Sequence, residues 1–136
     1  MRLVLETNVV VSGLLWDGAP RSLLQLAREN RVDLITSAPL LAELTNILER
    51  DKFTQKIAVS MLTVDELVDR YAALTEMVRP TLTPRIAPDP DDDVVIGTAL
   101  AATADLIVTG DRALLSVAIY EGMRIVGVAD AMQIIG

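Results

Sequence analysis

Four acidic residues stand in this sequence where predicted strands give way to helices or where a predicted helix turns inward: Glu6, Glu43, Asp93 and Asp111. Several carboxylates directed at one crevice repel each other unless a cation lies between them. A ligand set made only of oxygens selects a hard cation such as Mg²⁺ or Mn²⁺. Such ions activate water and bind a scissile phosphate, so the four acids indicate phosphodiester chemistry.

The sequence contains neither histidine nor cysteine, which excludes several classes of site. Catalytic triads that depend on histidine, thiolate zinc sites and disulfides are all ruled out. Acid–base work must therefore fall to carboxylates, lysine, tyrosine or water on a metal ion. The absence of cysteine also fits a reducing cytoplasm.

Charge and aromatic content argue against a general nucleic-acid binder. The net charge is −7, and aromatic residues make up 3% of the chain, which leaves almost nothing for stacking nucleobases. A locally basic strip is nevertheless expected from the basic residues of the N-terminal half: Arg21, Arg28, Arg31, Arg50, Lys52 and Lys56. A chain of this net charge should also bind a basic protein partner.

Short apolar segments that alternate with helical patterns predict the fold. Strands are expected at 3–5, 32–36, 78–82, 105–109 and 124–128, and a proline-containing loop at 83–90. Near-continuously apolar strands indicate a mostly parallel sheet between helices, so we expect a three-layer α/β/α sandwich in one domain over residues 1–136. No apolar run reaches the roughly 18 residues of a membrane span. The apolar stretch near the N-terminus is too short for a signal peptide, because Glu6 interrupts it. A cytoplasmic protein is therefore expected.

Capping patterns place the helices that lie between these strands. Ser37 is expected to cap a helix over 38–50, and Thr63 with Glu66 forms the pattern of a capping box for a helix over 64–77. The acids at 91–93 crowd the start of an alanine-rich helix, where the helix dipole favours negative charge.

The predicted sheet brings the acids together. In a parallel sheet the ligand crevice lies beyond the carboxyl ends of the strands. Glu6 and Asp111 follow two such strands, and Asp93 begins a helix nearby. We therefore expect these three side chains to approach one another.

Four segments occur in an order that resembles a known family: Leu-Glu-Thr-Asn-Val-Val-Val-Ser at 5–12, Pro-Leu-Leu-Ala-Glu-Leu at 39–44, Asp-Pro-Asp-Asp-Asp at 89–93 and Val-Thr-Gly-Asp-Arg at 108–112. Together they are similar to the PIN-domain ribonucleases, especially the VapC-like toxins of prokaryotic toxin–antitoxin systems, across essentially the whole chain. The resemblance implies a metal-dependent endoribonuclease that uses Mg²⁺ or Mn²⁺ to cleave RNA. It also implies a small antitoxin partner and a homodimer.

The resemblance also assigns roles to individual residues. The acidic pocket of the family, which binds metal and performs catalysis, falls on Glu6, Glu43, Asp93 and Asp111. Asn8 and Thr109 match polar positions that support such pockets, and Asp92 is expected beside them.

This chain departs from the family pattern at two positions. Glu6 stands where the first acid is normally aspartate, and Ala113 stands where a further acid often follows the Gly-Asp-Arg motif. A glutamate carboxylate reaches about 1.5 Å further than an aspartate carboxylate, by the length of one carbon–carbon bond. Because Mg²⁺ demands near-ideal octahedral geometry, we hypothesise that the chain is an attenuated nuclease.

Other readings of the same residues stay open. Any one of the acids alone is as readily a solvated or helix-capping carboxylate. A dinucleotide-binding fold would need a glycine-rich turn after the first strand, and a phosphoryl-transfer domain would need a lysine near the last strands, whereas the lysines are Lys52 and Lys56. A catalytically inactive PIN domain that binds RNA or an antitoxin is the main alternative. Metal-dependent RNA cleavage distinguishes it from a nuclease.

Overall fold

Strands and helices alternate along the chain in the computed structural model of the protein, which describes residues 1–82 and 90–136. The strands in these ranges are β1 (Arg2–Leu5), β2 (Asp33–Thr36), β3 (Thr75–Met77), β4 (Leu106–Val108), β5 (Ile119–Tyr120) and β6 (Met123–Val126). The helices are α1 (Thr7–Leu15), α2 (Ala19–Arg28), α3 (Ala38–Leu48), α4 (Thr54–Ser60), α5 (Val64–Ala73), α6 (Pro90–Ala101), α7 (Arg112–Leu115) and α8 (Val128–Ile135). A 3₁₀ turn covers Asp51–Phe53. Across the described ranges, no helix combines the length and the apolar character needed to cross a membrane.

The six described strands form one sheet in the order β3-β2-β1-β4-β6-β5. Neighbouring strands are parallel except for β5 and β6, which are antiparallel. Leu5 of β1 is paired with Val108 of β4 at the ends of both strands. Because these two strands run side by side in one direction, the residues that follow them emerge at the same edge of the sheet.

Apolar side chains cover both faces of the sheet. Leu3 and Leu106 belong to a cluster that includes residues of α1, α2, α3, α5 and α8. Val4 and Ile107 belong to a second cluster, with residues of α6 and α7. Successive strand residues point to opposite faces, so both faces of the central strands are buried. The predicted three-layer α/β/α sandwich with a mostly parallel sheet is confirmed.

The segment after α5 differs from the sequence-based expectation. The helix predicted over 64–77 ends at Ala73, and Thr75–Met77 forms β3, which pairs with β2. Residues 78–82, predicted as a strand, are not one. Pairing with β2 satisfies backbone groups at the edge of that buried strand, and this outweighs the local helical pattern. The capping box is confirmed, because Thr63 and Glu66 exchange two hydrogen bonds of 3.1 Å.

A close approach fixes the chain just before the predicted loop. The loop expected at 83–90 lies outside the described residues up to 89, and Pro90 already begins α6. Immediately upstream, the amide of Thr81 donates to the carbonyl of Gly97 at 3.0 Å. A Cβ atom on residue 97 would lie 2.4 Å from the carbonyl oxygen of Thr81. Only glycine allows the chain to pass this close to α6.

Candidate active site

A cavity of about 680 Å³ opens at the carboxyl end of the central strands. Its walls come from the segments that follow β1, β4 and β6, and from α1, α3 and α6. Its polar and charged lining residues are Glu6, Asn8, Ser12, Glu43, Arg50, Asp92, Thr109 and Asp111. The cavity thus lies where the sheet topology predicts a ligand crevice.

Glu6 is positioned by the strand and the helix on either side of it. Its amide donates to the carbonyl of Val108 at 2.9 Å, which continues the pairing of β1 with β4. Its side chain then caps α1, because one carboxylate oxygen accepts from the amide of Asn8 at 2.5 Å. Only 6% of Glu6 is exposed. The carboxylate is therefore held at the start of a helix and inside the cavity wall.

Asp111 is held in a similar way at the end of β4. Its amide donates to the hydroxyl of Thr109 at 3.0 Å. One of its carboxylate oxygens accepts from the amide of Ala113 at 3.0 Å, so Asp111 caps α7. Thr109 is fully buried, and its amide donates to the carbonyl of Val126 at 2.9 Å. Thr109 therefore joins β4 and β6 at the start of the segment that leads to Asp111.

Glu43 and Asp92 reach the cavity from helices on opposite faces of the sheet. Glu43 is half-buried on α3, and Asp92 is 6% exposed on α6. A hydrogen bond of 2.9 Å between the buried hydroxyls of Ser37 and Thr98 joins the start of α3 to α6. Ser37 is the N-cap residue of α3, as predicted, but its hydroxyl makes no capping hydrogen bond and instead takes part in the link between the helices.

The structure places Asp92, rather than Asp93, in the cavity wall. Asp93 is half-buried and is not among the lining residues. Consecutive residues of a helix point about 100° apart, so Asp92 and Asp93 point in different directions from α6. Of the predicted ligands, Glu6, Glu43 and Asp111 line the same cavity, together with the supporting residues Asn8, Thr109 and Asp92.

The electrostatics of Glu6 reflect its crowded surroundings. Burial raises the pKa of this carboxyl above its ordinary 4.5. The backbone amide of Asn8 and the hydroxyl of Thr109 lower the pKa, whereas the charges of Glu43 and Asp111 raise it. The raising effects prevail, because a buried carboxylate next to other carboxylates is costly to ionise. A cation in the cavity would reverse this balance.

The acids fit a hard divalent cation in chemistry but not yet in spacing. Within residues 1–82 and 92–136, no group of three carboxylates stands close enough together to hold a metal ion. Glu6 and Asp111 are each engaged in capping a helix. Glu6, Glu43, Asp92 and Asp111 nevertheless line one cavity. The lining residues offer oxygen ligands and no histidine or thiolate.

Arg50 is a lining residue that the sequence analysis did not assign to the pocket. It follows α3 and precedes the 3₁₀ turn. On the helix predicted over 38–50, a spacing of seven positions from Glu43 is about two turns and so gives the same helix face. That spacing was the available signal. Arg50 gives the rim of an acidic cavity a cation suited to phosphate.

Comparisons with known proteins agree with this architecture. Residues 2–113 match the PIN domain family. The fold resembles that of a chain in the crystal structure of VapBC2 from Rickettsia felis bound to a DNA fragment from their promoter. That likeness has a TM-score of 0.61 at 16% identity and covers 93% of this chain and 98% of the other. A comparison with curated proteins finds no significant match.

Proposed function

The chain belongs to the PIN domain family, and from this premise we propose that it is a divalent-metal-dependent endoribonuclease that cleaves single-stranded RNA. PIN domains are generally nucleases and generally use divalent metals. One observation carries the proposal for this chain. Carboxylates from four separate elements, Glu6, Glu43, Asp92 and Asp111, line one cavity at the carboxyl end of the sheet.

We assign Glu6, Glu43, Asp92 and Asp111 to holding Mg²⁺ or Mn²⁺. When bound, the ion supplies an activated water and neutralises charge on the scissile phosphate. The amide of Asn8 and the hydroxyl of Thr109 keep Glu6 oriented towards the ion. Arg50 contacts a neighbouring phosphate at the rim. The sequence pattern favoured Asp93 as a ligand. We assign it instead to the first turn of α6, where a negative charge stabilises the helix.

We further propose that Glu6 attenuates the activity. A glutamate at this position carries its carboxylate about 1.5 Å further than an aspartate would. Here the longer side chain bends back to accept from the amide of Asn8. An ion that requires oxygens at roughly 2.0–2.1 Å tolerates such displacement poorly.

We also propose that the protein is the toxin of a toxin–antitoxin pair, acts in the cytoplasm and forms a homodimer. The likeness to a chain of the VapBC2 structure supports the antitoxin partner. The net charge of −7 favours a basic partner. Val59 and Met61 on and after α4 are 76% and 89% exposed, and these apolar side chains are available to a protein interface.

Cleavage of labelled single-stranded RNA tests the nuclease proposal. The protein is stripped with a chelator, and Mg²⁺ or Mn²⁺ is then added back. We expect cleavage only with metal, and we expect the Asp69→Asn variant, which removes an exposed acid on α5, to cleave as the parent does. No cleavage with either metal, together with retained RNA binding, would favour the inactive binding module. That alternative draws support from the helix-capping contacts that engage Glu6 and Asp111.

A further inference from the structure

A group of two aromatic residues and two lysines lies together in the fold. It contains the one tryptophan, the one phenylalanine and both lysines of the sequence. We call Trp16, Lys52, Phe53 and Lys56 the aromatic–lysine cluster. The rings of Trp16 and Phe53 meet edge to face, with centroids 6.0 Å apart and planes at 69°. The Lys56 ammonium lies 5.5 Å from the centroid of the Trp16 ring, and the Lys52 ammonium lies 5.0 Å from that of Phe53. Each lysine is therefore held over an aromatic ring.

The cluster is formed by elements that are distant in the sequence. Trp16 ends α1, Phe53 ends the 3₁₀ turn, and Lys56 lies on α4. Phe53 is buried and anchors the turn against the core, whereas Trp16 is 43% exposed. The cluster thus presents one aromatic ring to solvent on a rigid base.

Helix α1, which leads to Trp16, also lines the acidic cavity. The amide of Trp16 donates to the carbonyl of Ser12 at 3.0 Å, and Ser12 lines the cavity. Four helical residues correspond to a rise of about 6 Å, so Trp16 lies one turn beyond the cavity wall. Arg50, at the cavity rim, immediately precedes the turn that carries Lys52 and Phe53. A continuous surface therefore runs from the acids through Arg50 to Trp16.

Outside the cavity, the part of this surface around Arg50 and Trp16 is slightly positive, although the chain is strongly acidic. Asp17 adjoins Trp16, but its carboxylate accepts from Arg21 at 2.7 Å, which offsets its charge. Glu49 and Asp51 are exposed and alternate with Arg50 and Lys52 along the chain. The aromatic surface must therefore supply most of the affinity for an anionic ligand, with one or two phosphate contacts from the basic side chains.

We propose that the aromatic–lysine cluster binds the single-stranded RNA that leads out of the acidic cavity. A nucleobase stacks on Trp16, and Lys56 and Lys52 contact the phosphates on either side of it. This inference deepens the proposed function and rests on it, because the strand must continue from the cavity where it is cleaved. An exposed tryptophan with adjacent cations matches the way that proteins bind single strands without reading their sequence. An acidic peptide would use the lysines but would gain little from a ring placed next to a carboxylate-lined cavity.

Fluorescence of the protein provides a direct test, since Trp16 is the one tryptophan in the sequence. The full chain is titrated with single-stranded oligouridylate in excess chelator, so that binding is measured without cleavage. We expect quenching of the Trp16 emission on binding. A titration with polyglutamate of matched charge serves as the comparison.

Variants then separate stacking from charge, with anisotropy of labelled oligouridylate as the readout. Trp16→Ala should weaken binding about tenfold, the range expected for loss of one stacked base, whereas Trp16→Phe should retain most of it. Lys56→Gln should lower the slope of log affinity against log salt by about 0.7, which corresponds to one phosphate contact on a single strand. Arg28→Gln, at the other end of α2 from the cavity, should leave both quantities unchanged.

The outcomes distinguish this inference from the proposed function. Quenching of the parent by oligouridylate, together with weaker binding in Trp16→Ala and a lower salt slope in Lys56→Gln, supports the RNA surface, whether or not metal-dependent cleavage is found in the separate assay. Cleavage that proceeds with unchanged affinity in Trp16→Ala and Lys56→Gln leaves the nuclease intact and overturns the surface. Quenching by polyglutamate but not by oligouridylate would make the cluster a peptide site and would also overturn it.

Discussion

Glu6 and Asp111 follow two adjacent parallel strands, and they make the same local contact in different surroundings. Each carboxylate caps a helix by accepting from the amide two residues further along, Asn8 in one case and Ala113 in the other. Glu6 comes directly after its strand and is buried, whereas Asp111 comes three residues after its strand and is half-buried. Burial raises the pKa of Glu6, and the neighbouring Asp111 charge adds to that rise.

A capping hydrogen bond therefore does not by itself decide whether a carboxylate is costly to ionise in the folded protein. A hydrogen bond from a backbone amide favours the ionised form of Glu6, but the loss of solvent outweighs it. The longer of the two acids occupies the more enclosed position. A bound cation would therefore change the energetics of Glu6 most.

The largest expected effect comes from removing the more accessible acid. Asp111→Asn keeps an oxygen that can accept from Ala113, so α7 stays capped and the fold is retained. The loss of a metal ligand should reduce metal-dependent RNA cleavage by more than the roughly 10- to 100-fold cost of disturbing a residue behind a ligand. Initial cleavage rates measure this, and circular dichroism checks the fold. A rate within about threefold of the parent, which is less than about 1 kcal/mol of barrier, would place the ion elsewhere.

A matched pair on α6 sharpens the site to a single residue. Asp92 lines the cavity and Asp93 does not, so Asp92→Asn should lower the cleavage rate by at least the roughly 10-fold cost of disturbing a residue behind a ligand, and Asp93→Asn by much less. Both variants remove one charge at the same helix start, so each controls for the change in helix-dipole stabilisation. Equal losses in the two variants would contradict the orientation of α6 described above.

Shortening Glu6 tests whether the difference between the two acids limits the rate. Glu6→Asp restores the shorter reach and keeps a good helix cap. Mg²⁺-dependent RNA cleavage should rise by about tenfold or more, since a misplacement of about 1 Å can cost about 10²-fold in rate. Parallel assays of the two proteins decide the matter, and expression without the antitoxin should become harder. Equal rates would mean that Glu6 either ligates well or does not ligate.

The smallest expected effect concerns stability rather than rate. Because folding raises the pKa of Glu6, its contribution to stability is fully present below the ordinary 4.5 and is lost as pH rises through the raised value. In chelator, Glu6→Gln should therefore melt at a higher temperature than the parent at pH 7, and the difference should vanish near pH 4.5. Thermal scans at both pH values measure this.

A metal titration supplies the control for that stability prediction. Mg²⁺ or Mn²⁺ binds the folded state, so it should raise the melting temperature of the parent. The response of Glu6→Gln should be weaker, because a ligand charge has been removed. The contradicting outcome would be an equal change in melting temperature for the parent and Glu6→Gln between pH 4.5 and pH 7. It would show that burial of the Glu6 carboxylate does not destabilise the folded protein.

The sequence predicts the frame of the fold because the central strands are continuously apolar. β1, β2, β4 and β6 were all expected within a few residues of where they lie. β3 was not, because Thr75–Met77 is partly exposed and follows a strongly helical segment, and only the open edge of β2 makes it a strand. β5, which has two residues, carries too short a pattern to detect.

Some features of the site could be predicted from the order of residues along the chain, and others could not. The acids at strand ends were identifiable because parallel topology brings those ends together. Which of Asp92 and Asp93 lines the cavity could not be predicted, because it depends on the residue at which α6 begins, and a run of acids leaves that start ambiguous. Composition likewise suggested that little was available for stacking, because it cannot show that Trp16 and Phe53 meet across the fold.

The contact at Gly97 has a consequence for recognising true relatives of this protein. The acids can persist in a diverged sequence whose chain takes another route between β3 and α6, because their positions are set mainly by the strands. A side chain at position 97 would collide with the Thr81 carbonyl, so a sequence that carries a larger residue there must route this crossing differently. In an alignment, a glycine at position 97 marks the chains that share this path as well as the acids.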